Sequence, residues 1–142
     1  MKVFILTEGG KGIGFGHITR CSALCEAFEE KCIRPYFIVN ADNSAKTLLK
    51  GKRNKIFNWL KKQDELFNMV SGADVIVLDS YLAKDNLYRK IAELTKIAVY
   101  VDDNKRIVYP EGIVVNGAIY AKGLNYSKAK NVTICLDQNI CH

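Results

Sequence analysis

Apolar runs alternate with amphipathic stretches along this chain, and that alternation is the signature of βα units built around a parallel sheet. Continuous apolar segments predict strands near residues 2–7, 36–40, 55–59, 75–79, 97–102 and 113–116, with a further short one at 132–136. Between them, residues 17–31 repeat apolar positions at helical spacing. Ile18, Cys21, Leu24, Cys25 and Phe28 form the inner stripe, with Glu26, Glu29 and Glu30 turned to solvent. Leu87, Tyr88, Ile91 and Leu94 predict a helix over 84–96, started by Asp85 or Asn86. Residues 63–70 and, more weakly patterned, 43–51 read as helical, and the chain beyond Asn116 carries little pattern. The expected class is α/β: one Rossmann-like parallel sheet with helices on both faces, spanning residues 1–142 without repeat, low-complexity segment or linker.

Composition narrows the picture. With 142 residues, 49% hydrophobic and 25% charged, the chain has enough apolar material for one globular core, and disorder is not expected. No apolar stretch reaches the roughly 18 to 20 residues that span a bilayer, and the apolar start is too short for a signal peptide, so a cytoplasmic location is expected. Five cysteines, Cys21, Cys25, Cys32, Cys135 and Cys141, include no CxxC pair and read as reduced thiols. His17, Cys21 and Cys25 share a helix face, but positions eight residues apart are too far separated to share an ion; no metal is expected. A net charge of +6 favours anionic partners. Lys46, Lys50, Lys52, Arg53, Lys55, Lys61 and Lys62 cluster, yet no aromatic platform or nucleic-acid signature accompanies them, so a solvated surface is expected.

The densest chemistry lies in Gly9-Gly10-Lys11-Gly12-Ile13-Gly14-Phe15-Gly16-His17, which holds five of the chain's ten glycines directly after the first strand. A glycine loop opening a helix leaves N–H groups facing negative charge, and it delivers a histidine there. The positive potential at such a helix start favours a neutral imidazole able to accept a proton. The loop lacks GxxxxGK[ST], which excludes a P-loop, and it puts His17 where the third glycine of GxGxxG would pack, which argues against NAD. In a doubly wound sheet ligands gather beyond the carboxyl ends of the strands. Those ends carry the His17 loop, Asp79-Ser80-Tyr81, Asp102-Asp103, and Asn116 with Tyr120. Arg20, one turn beyond His17, either orients it or reaches a phosphate, or pairs with Asp79 or a neighbouring acid.

Gly14-Phe15-Gly16-His17-Ile18-Thr19-Arg20-Cys21 resembles the GxGHxxRC signature of a nucleotide-sugar hydrolase family. That family comprises the UDP-2,4-diacetamido-2,4,6-trideoxy-β-L-altropyranose hydrolases of pseudaminic acid biosynthesis and related spore-coat polysaccharide proteins. Leu78-Asp79-Ser80-Tyr81, Val101-Asp102-Asp103 and the segment from Val115 through Asn116 and Tyr120 to Ala121 are similar to further family islands, in the same order. The resemblance implies the N-terminal domain of a GT-B fold, with a C-terminal domain, absent from this chain, supplying most contacts to uridine and diphosphate. It implies His17 as catalytic base. Gly14, Phe15, Gly16, Arg20, Asp79, Tyr81, Asp103, Asn116 and Tyr120 would line the UDP-sugar site, with no cofactor. Within it, Asp79 would accept from a sugar hydroxyl or orient His17, and Tyr81 would donate to an acetamido group. Activity is then expected only when the missing domain or a partner chain is present. A GT-B glycosyltransferase domain and a non-catalytic nucleotide-sugar binding module are the alternatives.

Overall fold

The computed structural model describes residues 1–117, 132–137 and 140–141. Eight strands form one sheet: β1 (Val3–Glu8), β2 (Tyr36–Asn40), β3 (Arg53–Ile56), β4 (Ala73–Leu78), β5 (Thr95–Val101), β6 (Gly112–Val115), β7 (Val132–Asp137) and β8 (Ile140–Cys141). Their spatial order is β3-β2-β1-β4-β5-β6-β7-β8, parallel from β3 to β7 with β8 antiparallel at the edge. This is a Rossmann-like α/β fold, and the order reverses direction between β1 and β4, which creates the topological switch point where such sheets take ligands.

Helices α1 (Gly16–Glu30), α2 (Gln63–Val70) and α3 (Asp85–Leu94) cover the sheet. All six residues of β1 are buried, because its alternating side chains feed two separate cores. Val3 and Ile5 join Ile18, Cys21 and Cys25 of α1 on one face, while Phe4 and Leu6 join Leu66, Val70, Leu87 and Ile91 of α2 and α3 on the other. Leu24 and Phe28 close the inner stripe of α1 half-buried, as its periodicity predicts. Cys21, Cys25 and Cys32 are free thiols. Among the described residues, no helix is long and apolar enough to cross a membrane.

Most element ends fall within two residues of the pattern-based reading, and four differences have a physical cause. Strand β3 occupies Arg53–Ile56 rather than 55–59, because the edge strand pairs only with β2 and the apolar Phe57-Asn58-Trp59 that follows turns inward to bury the indole. Residues 43–51 form a single short 3-10 turn at Asn43–Lys46, started by the Asp42 carboxylate accepting from Ser44 N, and the chain reverses at Gly51 with φ of 79°. Helix α3 begins after Lys84 without a side-chain cap from either Asp85 or Asn86. It stops at Leu94 rather than 96, because Thr95 is already paired with Ala73 in the sheet.

Candidate functional site

The carboxyl ends of β1, β4, β5 and β6 meet at one rim, and the polar residues found there in the sequence come together. After β1 the chain folds back through a short bridge between Gly10 and Gly14, in which each N–H donates to the other's carbonyl at 3.1 and 2.7 Å. Gly14 takes φ of 87°, a conformation few side chains tolerate, and its N–H is spent inside the loop rather than offered to a ligand, contrary to the expectation for it. Lys11 N donates to Asp42, which pins the loop tip to the end of β2. Helix α1 then starts after Phe15, which occupies the cap position without a side-chain cap bond and packs half-buried against the α1 core. Thr19 N is the first intrahelical donor, so the N–H groups of Gly16, His17 and Ile18 lie ahead of the helical ladder. Gly16 is exposed and a Cβ there would meet nothing.

His17 does not cap this helix. Its Nδ1 lies 2.7 Å from Asp79 Oδ1, a contact buried on both sides. An Nδ1–H donating to the carboxylate leaves the Nε2 lone pair as the ring's acceptor, and Nε2 makes no hydrogen bond among the described residues. The ring thus faces a buried carboxylate through Nδ1 as well as lying at the start of the helix. Tyr81 stands edge-on to the imidazole, ring centroids 4.5 Å apart. An aromatic ring, a carboxylate and a guanidinium thus stand against the imidazole.

Arg20 resolves its alternatives in favour of ion pairing. Its Nε and Nη2 hold the two oxygens of Asp79 at 2.5 Å each, and its Nη1 lies 2.8 Å from both oxygens of Asp103. The same Nη2 is 3.2 Å from His17 Nδ1. One guanidinium thus bridges two carboxylates, tying the end of β4 to the loop after β5. Burial works against the charge on Arg20, but Asp79 and Asp103 outweigh it and raise its pKa further above the ordinary arginine value. Burial likewise opposes ionisation of Asp103, yet Arg20 and Tyr81 hold it below the usual carboxylate range. The Tyr81 hydroxyl donates to Asp103, and this bond, with burial second, pushes its pKa up to about 12. Beneath them the Cys21 thiol lies 3.5 Å from Asp79 Oδ2; burial and then the neighbouring carboxylate keep it well above the ordinary thiol value and protonated.

Asn116 is fully buried and donates from Nδ2 to the Asp103 carbonyl at 3.2 Å, which ties the end of β6 to the loop after β5. Tyr120 lies outside the described residues. Two residues that the sequence reading passed over belong here. Glu8, the last residue of β1, is fully buried and accepts from the Ser80 hydroxyl and from Tyr81 N and Leu82 N. Arg106 reaches from the loop after β5 to the carbonyls of Ser80 and Ala83. A carboxylate ending an otherwise apolar, doubly buried strand was the available signal for Glu8; Arg106 had none. The cleft between Lys2, Arg34, Tyr36 and Arg53 lies at the opposite rim, away from this chemistry.

Among the described residues no group of three histidine, cysteine or acidic side chains is arranged to hold a metal ion. What the arrangement can do is accept a proton at Nε2, with Asp79 steadying the resulting imidazolium. Comparison with protein families, curated proteins and solved structures finds no match for the chain.

Proposed function

We propose that this chain is the N-terminal, base-bearing half of a UDP-sugar hydrolase. It releases UDP from a 2,4-diacetamido-2,4,6-trideoxy hexose in surface-glycan biosynthesis, and it acts only together with a second Rossmann-like body of the GT-B kind. The observation that carries this reading is the buried Asp79–His17 pair at the switch point, with Nε2 left unengaged among the described residues. In the proposed step a water molecule gives a proton to His17 Nε2 while its oxygen bonds to the anomeric carbon. The bond from that carbon to the β-phosphate oxygen breaks and UDP leaves with the electron pair. Asp79 orients the ring and stabilises the imidazolium, and general-base assistance of this kind is worth about 10²- to 10⁴-fold in rate. The pairing of Arg20 with two carboxylates supports assigning the diphosphate to the second body and the sugar to this rim.

The test is an assay of UDP release by the two-body protein, with and without an added acceptor. Release without acceptor, lowered about 10²- to 10⁴-fold by His17→Ala, is the expected result. Turnover that requires an acceptor would make the protein a transferase, and binding of the UDP-sugar without any turnover would make this half a recognition module. Either result overturns the hydrolase reading.

A further inference from the structure

The turn from Ser80 to Ala83 carries Asp79 at its entry and Tyr81 at its crest, and it is gripped from two sides by opposite charges. From the β1 side, Glu8 takes the turn's donors: Oε2 accepts from the Ser80 hydroxyl at 2.8 Å, and Oε1 accepts from Tyr81 N at 2.6 Å and Leu82 N at 3.2 Å. From the β5 side, Arg106 Nη2 takes its acceptors, at 3.1 Å from the Ser80 carbonyl and 2.9 Å from the Ala83 carbonyl. Tyr88 of α3 seals the second grip, donating to the Ser80 carbonyl at 3.0 Å and standing 3.1 Å from the same Nη2. The Ser80 hydroxyl oxygen also accepts from Leu82 N and Ala83 N, so the turn's own donors are satisfied inward.

We propose that Glu8 and Arg106 are positioning residues: a carboxylate on the turn's N–H groups and a guanidinium on its carbonyls together preset Asp79 and Tyr81 against His17. Neither touches the imidazole. Charge-assisted bonds are roughly twice as strong as neutral ones, and a turn held through both its donors and its acceptors has no low-cost alternative geometry. Arg106 is itself fixed at its root, where Asp102, buried at the end of β5, accepts from Lys105 N at 2.7 Å. The same loop presents Asp103 to Arg20 and Tyr81, so the clamp joins both halves of the rim. Its catalytic consequence rests on the hydrolase reading. Under that reading, loosening the clamp lowers kcat by about 10²-fold with little change in KM, since the loss is one of alignment rather than of contact.

The geometric claim is tested without substrate. His17 and His142 are the only histidines, so the His17 ring signals are readily assigned in a proton–carbon spectrum of the chain. Tyr81→Leu supplies the reference position of those signals without the neighbouring ring. Glu8→Ala and Arg106→Gln are expected to move the His17 signals most of the way to that reference, while Glu8→Gln, which keeps an acceptor for Tyr81 N, stays close to the parent. A merely structural role would lower the melting temperature and leave the signals of the folded fraction where they were; that result overturns the proposal. Should Glu8→Ala fail to fold, Arg106→Gln decides alone, its side chain being only half-buried at the loop surface. Because no turnover is read, loss of the hydrolase reading leaves this outcome intact.

Discussion

At the scale of single residues, the site is governed by a guanidinium shared between two carboxylates. Asp79 is buried and Arg20 is 31% exposed at its side chain. Replacing Arg20 by Ala leaves the buried carboxylate uncompensated, which costs about 3 kcal/mol, the low end of the usual range because water still reaches the pair. Asp103 allows a cleaner measurement. Its folded pKa lies below the ordinary aspartate value of 3.8, so its contribution to stability is present above that value and is lost as pH falls through the lower, folded one. Asp103→Asn is therefore expected to destabilise the chain at pH 7, with the gap to the parent closing in acid; urea melts at neutral and acid pH check this. The same substitution removes the largest cause of the raised Tyr81 pKa. Ionisation of that phenol, which in the parent waits until pH reaches about 12, should fall toward the ordinary value of 10.0. Carbon spectra of labelled tyrosine follow it, and an unmoved Tyr81 would show that the hydrogen bond to Asp103 is not what holds the proton.

Elements were the most legible level in the sequence. Helix α2 and strand β2 occupy the residues their patterns predict, since each has a clean apolar stripe bounded by polar or proline signals. Misplacement occurred where tertiary pairing overrode local preference: Thr95 and Lys96 continue the helical pattern of α3 but are taken by β5, which starts with Thr95 opposite Ala73. The site's members were visible as polar residues at strand ends, and the pairings among them were not. Nothing in the spacing of Arg20 distinguishes a phosphate ligand from a carboxylate bridge, because both need only a guanidinium near the loop. Glu8 was hidden by its position in an apolar strand, where a polar group reads as the strand's end rather than as a clamp. Strand β6 offers a prediction of its own. Gly112 adopts φ of 150°, and a Cβ there would stand 2.5 Å from the Ala98 carbonyl oxygen and 2.8 Å from the Tyr100 ring. Gly112→Ala must push β6 off β5 and is expected to cost about 1–3 kcal/mol, seen as a lower urea midpoint at unchanged slope. An unchanged midpoint would mean the two strands can separate freely at that register.

For the molecule as a whole, the sheet order decides where everything converges. Reversal between β1 and β4 leaves a gap at the carboxyl rim that only the loops after β1, β4, β5 and β6 can fill, and each of those loops contributes a residue. Arg53 and Lys55 of β3 have no part in it. They line the exposed edge of the sheet, where such charges discourage pairing with a second chain. Trp59, by contrast, ties the opposite core to the rim: fully buried, it donates from its indole nitrogen to the Thr7 carbonyl at 2.9 Å, one residue before Glu8. It is the chain's only tryptophan. Its fluorescence therefore comes from one place, two atoms' reach from the strand tip that bears the clamp, and any ligand or substitution that tugs on that tip should shift or quench the emission without an added dye.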